Sequence, residues 1–295
     1  MKHAYMIIAH NEFDILEKLV QLLDDPRNDL YIHIDKKVRH FPFDHYRNIV
    51  KLSRLTFVHR QDVRWGDYSM IQCELTLLKA ALKGNYQYYH LLSGVDLPLK
   101  SNDAIHSFFC QNAGKEFVHF CTDEEALRVR YRVEQYHFMR LRSDPNRFTR
   151  PFSIRMMNYL LYFQEKTRYT RTWDDNSPLA FGAQWFSITH ELASYIIDHE
   201  NWISKHFRFT SCADELFLQT LIANSQFKDR LYIPEHIGDY TGCMRYIDWK
   251  RGHPYVFRSS DFQDLIDSHY LFARKFSTKI DPQIIEQIFH HLKKS

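Results

Sequence analysis

The chain predicts an α/β fold, a Rossmann-type and largely parallel central sheet flanked by helices with an elaborated C-terminal half. Three features carry that expectation. Short apolar runs alternate with helically patterned segments through the first 120 residues, the runs are apolar as buried strands are, and no internal repeat or low-complexity linker interrupts them.

Ala4–Ala9 reads as the first buried strand, followed by a helix over Glu12–Leu23 with Ile15, Leu16, Leu19, Val20, Leu22 and Leu23 on one face. Leu30–Ile34 is a second strand ending at Asp35, and Leu55–Val58 a third. Tyr68–Leu82 reads as a long helix, Tyr88–Leu92 as a fourth strand, Asn102–Cys110 as a short helix and Phe117–Phe120 as a fifth strand. Ligands of such sheets sit at the carboxyl ends of strands, which makes His10-Asn11, Asp35 and the Ser93–Asp96 loop candidates for a pocket. Residues 123–180 break the rhythm and read as an irregular or helical insertion. A strand over Gln184–Ile188, helices near Glu191–Glu200 and Ala213–Ala223, and an amphipathic helix over Pro282–Lys293 complete the chain.

Composition excludes several classes. A net charge of +3 with no Lys/Arg run argues against nucleic acid. The five cysteines are scattered and never form a C-x-x-C pair, which favours free thiols in a reducing compartment. No stretch of 18 apolar residues occurs, so the chain reads as cytoplasmic, with any membrane contact peripheral. With 8 glycines there is no G-x-G-x-x-G after the first strand and no G-x-x-x-x-G-K-[ST]. Nor is there an Asp-x-Asp, the pair with which many nucleotide-sugar enzymes hold a divalent ion, so no metal site is expected.

Four stretches carry chemistry. Tyr88–Ser101 runs from a buried strand through the Ser93-Gly94-Val95-Asp96 turn, where glycine lets a ligand approach the backbone; a plain strand–turn–helix corner would read the same way. Phe181–Thr189 offers Gln184 to bond hydroxyls and Trp185 as a sugar platform, or as core. In Ser211–Leu221, Asp214 and Glu215 either cap a helix or hold a carboxylate at a cleft rim to take a proton from an acceptor hydroxyl. Met244–Gly252 and Leu271–Phe276 set Arg245, Arg251, Arg274 and Lys275 among aromatics, a pattern that suits a diphosphate.

In this order, these stretches resemble the core-2/I-branching β-1,6-N-acetylglucosaminyltransferase family, which includes the peptide O-xylosyltransferases. The resemblance covers nearly the whole chain, through Ala4–His10, Ile32–Lys37, Trp65–Ser69, Leu92–Pro98, Phe272–Phe276 and Ile280–Pro282. It implies a GT-A-like fold over one domain, 1–295, with a nucleotide-binding half at 1–122 and an acceptor-side and diphosphate-binding half at 123–295. It also implies inversion at the anomeric carbon, a UDP-sugar donor, a saccharide acceptor and no cofactor. By the family pattern Glu215 is the base and Lys275 contacts the diphosphate, with Arg245 or Arg251 as its partner. Ile8, His10 and Asp35 match the uridine pocket, with Trp65 and Ser93 beside them; Asp96, Gln184, Trp185 and Asp214 fall to the sugar or acceptor. UDP-GlcNAc is the expected donor and UDP-xylose the alternative. The acceptor is expected in surface polysaccharide or lipid-linked oligosaccharide synthesis at the inner face of the membrane. The rival class is a non-catalytic nucleotide-sugar-binding module.

Overall fold

The computed structural model describes residues 2–139, 148–173, 177–234 and 240–294. Its main sheet has six strands in the order β3-β2-β1-β4-β7-β6. The strands are β1 (His3–Ala9), β2 (Asn28–Ile34), β3 (Arg54–Phe57), β4 (Tyr88–Ser93), β6 (Phe117–Val118) and β7 (Phe186–Thr189). β1 to β4 are parallel, and β7 returns antiparallel to β4 and β6. The alternating side chains of β1 feed two cores: Ala4 and Met6 pack on one face, Tyr5, Ile7 and Ala9 on the other. This is why the run is apolar without a polar phase.

α1 (Phe13–Leu23) buries its expected stripe against the second core. α3 (Ser69–Ala81) covers the opposite face with Ile71, Leu75 and Leu78. α2 (Phe43–Ile49) and α4 (Asn102–Gln111) complete the first half, α2 having no counterpart in the periodicity. The 123–180 insertion is helical where described: α5 (Asp123–Val129), α6 (Tyr131–Glu134) and α7 (Arg150–Thr167). α8 (His190–Asp198), α9 (Glu200–Phe207), α10 (Phe217–Ala223), α11 (Phe262–Asp267) and α12 (Pro282–Lys294) follow.

Two departures from the sequence reading matter for the site. The first is a second sheet, β5-β9-β8, made of β5 (Asp96–Pro98), β9 (Phe272–Arg274) and β8 (Arg245–Ile247). Each strand has three residues, too few for a periodicity, yet together they join the Ser93–Asp96 turn to the C-terminal cations. The second is the expected helix over Ala213–Ala223. It is split into a 3-10 turn, Ala213–Glu215, and α10, with Leu216 at φ −125° between them. Cys212, at φ +49°, turns the chain before it, and the Glu215 carbonyl accepts from Gly182 N (2.9 Å) instead of continuing the helix. All five cysteines are free. Among the described residues no helix is long and apolar enough to cross a membrane.

Candidate active site

The carboxyl ends of β1, β2 and β4 converge. The register pairs Ile8 with Ser93 and Ala9 with Ile34, so His10, Asp35 and the Ser93-Gly94 turn emerge together. Asp35 is 3% exposed. Its carboxylate accepts from Lys37 N (2.8 Å) and Val63 N (3.3 Å) and pairs with Lys37 Nζ at 3.2 Å. It therefore braces the loop after β3, which carries Trp65, 73% exposed at the rim. Gly94 N donates to Ile8 O (2.9 Å), and a Cβ on Gly94 would lie 2.8 Å from Ala9 Cβ. Only glycine lets the turn close so tightly over the end of β1.

The small sheet places the cations. Asp96, on β5, lies opposite Arg274, on β9. Its buried carboxylate accepts from Ser93 N (2.8 Å) and from Arg274 Nη1 (2.9 Å). Burial pushes the Asp96 carboxyl up, and Arg274 works against that rise. The other side of the Arg274 guanidinium lies 4.2 Å over the Trp185 ring. Lys275 follows on the strand end, half-buried, and its ammonium has no hydrogen bond or ion pair among the described residues. The adjoining loop is tied to it, since Phe257 N donates to Lys275 O (3.0 Å) and Tyr255 N to Asp248 O (2.8 Å). Arg251 lies on that loop, 44% exposed and held by Asp248 (2.5 Å) and Asp261 (2.7 Å).

The structure corrects the expectation for Arg245. Its guanidinium is 1% exposed, under the sheet, donating to Ser187 Oγ (2.8 Å), Phe186 O (2.5 Å), Leu91 O (3.3 Å) and Cys243 O. It joins β4, β7 and β8 and presents no donor to the cleft. Arg251, at the same end of the small sheet as Lys275, is the better placed of the two candidates. Gln184 and Trp185 are likewise turned inward: Gln184 Nε2 donates to Glu74 Oε1 (2.7 Å), and Trp185 is 8% exposed beneath Arg274. Asp96 orients Arg274 and offers no free carboxylate to a sugar.

The acidic turn forms the other side. Glu215 Oε2 accepts from Arg132 Nη1 at 2.9 Å, with the Glu215 side chain 35% exposed and Arg132 20%. Asp214 points inward, 6% exposed, and Glu74 on α3 is fully buried. Among the described residues, Asp214 Oδ1 and Glu74 Oε2 have no hydrogen-bond partner. Burial raises the pKa of all three carboxyls; the charge of Glu215 lifts Asp214 further, and that of Asp214 lifts Glu74. Arg132 alone opposes the rise at Glu215. Glu215 is thus not a freely titrating carboxyl. The turn also meets the loop after β3: Cys212 N donates to Gly66 O (2.9 Å), next to Trp65.

Arg132 and Glu74 escaped the sequence reading because each sits far along the chain from its partner, Arg132 by 83 residues from Glu215 and Glu74 by 110 from Gln184. A depression of about 360 Å3, lined by Lys2, Gln87, His190 and Arg230 among others, lies at the opposite, amino-terminal end of β4. Among the described residues no three His, Cys, Asp or Glu side chains are grouped to hold a metal ion.

The family model described as Core-2/I-Branching enzyme matches residues 3–266. A human beta-1,3-galactosyl-O-glycosyl-glycoprotein beta-1,6-N-acetylglucosaminyltransferase is 22% identical over 98% of this chain and 69% of its own. Mouse xylosyltransferase 2 is 22% identical over 98% of this chain, which spans only 33% of that protein. Among solved structures, 4-diphosphocytidyl-2C-methyl-D-erythritol synthase from Anaerococcus prevotii aligns with 78% of this chain and 83% of its own at 13% identity and a TM-score of 0.33, too loose a likeness to argue from.

Proposed function

The chain belongs to the Core-2/I-branching enzyme family of glycosyltransferases, and we propose that it moves GlcNAc from UDP-GlcNAc to a saccharide hydroxyl with inversion and without a metal ion. The observation that carries this reading is Glu215: a carboxylate on a short turn at the rim, half-buried, held by Arg132 at 2.9 Å and adjoining the Trp65 loop. An acceptor hydroxyl is a poor nucleophile, and a positioned carboxylate that takes its proton contributes about 10²–10⁴-fold. The raised pKa of Glu215 suits that task, since a base nearer neutrality accepts a proton more readily.

Departure of the sugar leaves charge on UDP. Lys275 and Arg251 meet it in this reading, with Arg274 fixed behind them by Asp96. One cation about 4 Å away gives a gross attraction of about 4 kcal/mol at an effective dielectric of 20. Two placed where charge develops supply what a divalent ion would. Ile8, His10, Asp35, Ser93 and Trp65 frame the uridine. A UDP-xylose donor is the second reading, favoured by the likeness to mouse xylosyltransferase 2 over 98% of this chain. In either case Glu215→Gln loses about 10²–10⁴-fold in transfer while keeping UDP affinity. UDP release from UDP-GlcNAc and UDP-xylose, measured on wild-type and variant protein, tests both points; near-normal turnover of the variant contradicts the base assignment.

A further inference from the structure

α7 exposes five large apolar or aromatic side chains. Phe152 is 68% exposed, Met156 38%, Tyr159 64%, Tyr162 56% and Phe163 51%. The opposite side of the helix is fixed inward: Ser153 and Met157 are buried, and Gln164 accepts from Tyr136 N (2.7 Å) and donates to Tyr136 O (3.1 Å). With about 3.6 residues per turn, Phe152, Met156, Tyr159 and Phe163 fall on one stripe roughly 17 Å long. Arg155 and Lys166, both exposed, share the same outward arc, and Lys166 lies 5.6 Å over the Tyr162 ring. Glu165, the only acidic residue of the helix, projects to a different side.

We propose that this arc of α7 docks on an anionic lipid surface, lying in the interface with its aromatic stripe among the acyl chains and Arg155 and Lys166 at the head groups. Phe and Tyr side chains with flanking basic groups are the composition of helices that lie in the membrane plane, and contiguous apolar surface of this kind marks an interaction site. Charge selects the partner. In a symmetric pair of copies the arc would face itself, setting Arg155 and Lys166 against like charges with no carboxylate on the arc to meet them. An anionic leaflet answers both cations. Through Tyr136, α7 is tied to the segment that supplies Arg132, so docking brings the Glu215 side of the cleft towards the lipid. The benefit to a lipid-linked acceptor rests on the transferase reading, whereas the docking itself does not.

The test is flotation of the full chain with vesicles of phosphatidylglycerol and phosphatidylcholine, against pure phosphatidylcholine, with UDP binding followed separately by calorimetry. The wild-type chain floats with the anionic vesicles. Phe152→Ser with Phe163→Ser lowers partitioning roughly tenfold or more. Arg155→Gln with Lys166→Gln lowers it about fivefold per charge. Both variants keep wild-type UDP affinity, which separates this surface from the donor site and shows that they fold. Three results overturn the proposal: no flotation of wild-type protein, equal flotation of wild-type and both variants, or a dimer in lipid-free sedimentation that either variant dissociates, which assigns the arc to a second copy.

Discussion

β8 and β9 are neighbouring strands of one three-stranded sheet, each bringing a cation to the same region, and the two cations do opposite work. Arg245 opens β8 and turns under the main sheet, where it is consumed by Ser187 and the carbonyls of Leu91, Phe186 and Cys243. Lys275 follows β9 at the other end, beyond the Asp96–Arg274 pair, with its ammonium unengaged among the described residues. A positive charge in the sequence thus becomes either a buried brace or a cation unengaged among the described residues. What separates them is position along the strand: the parallel register pairs Arg245 with Phe272, deep in the second core, and Ile247 with Arg274 at the rim.

The comparison is broken most forcefully at Arg245. Arg245→Ala removes a buried guanidinium from three carbonyls and the Ser187 hydroxyl, and each hydrogen bond to a charged group contributes about 1.5–3 kcal/mol. The expected loss is about 3 kcal/mol or more, read as a lower midpoint in urea unfolding. A variant of unchanged stability and reduced UDP affinity would return Arg245 to the diphosphate.

Arg132 sharpens the comparison, because it is a cation spent on the carboxylate proposed as the base. Transfer needs ionised Glu215, so the rate falls as pH drops through its pKa, which burial raises above the ordinary value near about 4.3. Removing the opposing cation raises it further. Arg132→Met therefore moves the acid limb of the pH–rate profile to higher pH and slows transfer at a fixed pH on that limb. An unmoved limb would mean that Arg132 does not tune the base. The smallest effect is at Arg251, whose two carboxylates already offset its charge. Arg251→Ala weakens UDP binding by about threefold to tenfold in a calorimetric titration; no change would leave Lys275 without a second cation on that loop.

The main sheet was legible because β1, β2 and β4 are apolar on both faces and α1 keeps a strict helical stripe. The site was legible in part. Glu215 could be picked out as a carboxylate near a helix start, but the split at Leu216 that sets it on a separate turn depends on Cys212 and Gly182, a tertiary arrangement that no local pattern encodes. Arg245 misled because an arginine among aromatics reads as a ligand site, whereas here the aromatic beneath it, Phe272 at 5.1 Å, belongs to the core. Gln184 and Trp185 misled for the same reason: their partners, Glu74 and Arg274, are distant in sequence. The α7 insertion showed no clear stripe because its apolar residues, Ile154, Met157 and Leu160 as well as Phe152, Met156 and Phe163, lie on several sides of the helix.

The central claim is that the lysine at the end of β9 holds the diphosphate with no metal ion. UDP titrated by calorimetry into wild-type and Lys275→Ala protein, both in EDTA, addresses it directly. The account predicts binding by the wild-type protein, a loss of about tenfold to a hundredfold in the variant and identical unfolding midpoints for the two. Equal affinities, or binding by the wild-type protein only after Mn²⁺ or Mg²⁺ is restored, would contradict it.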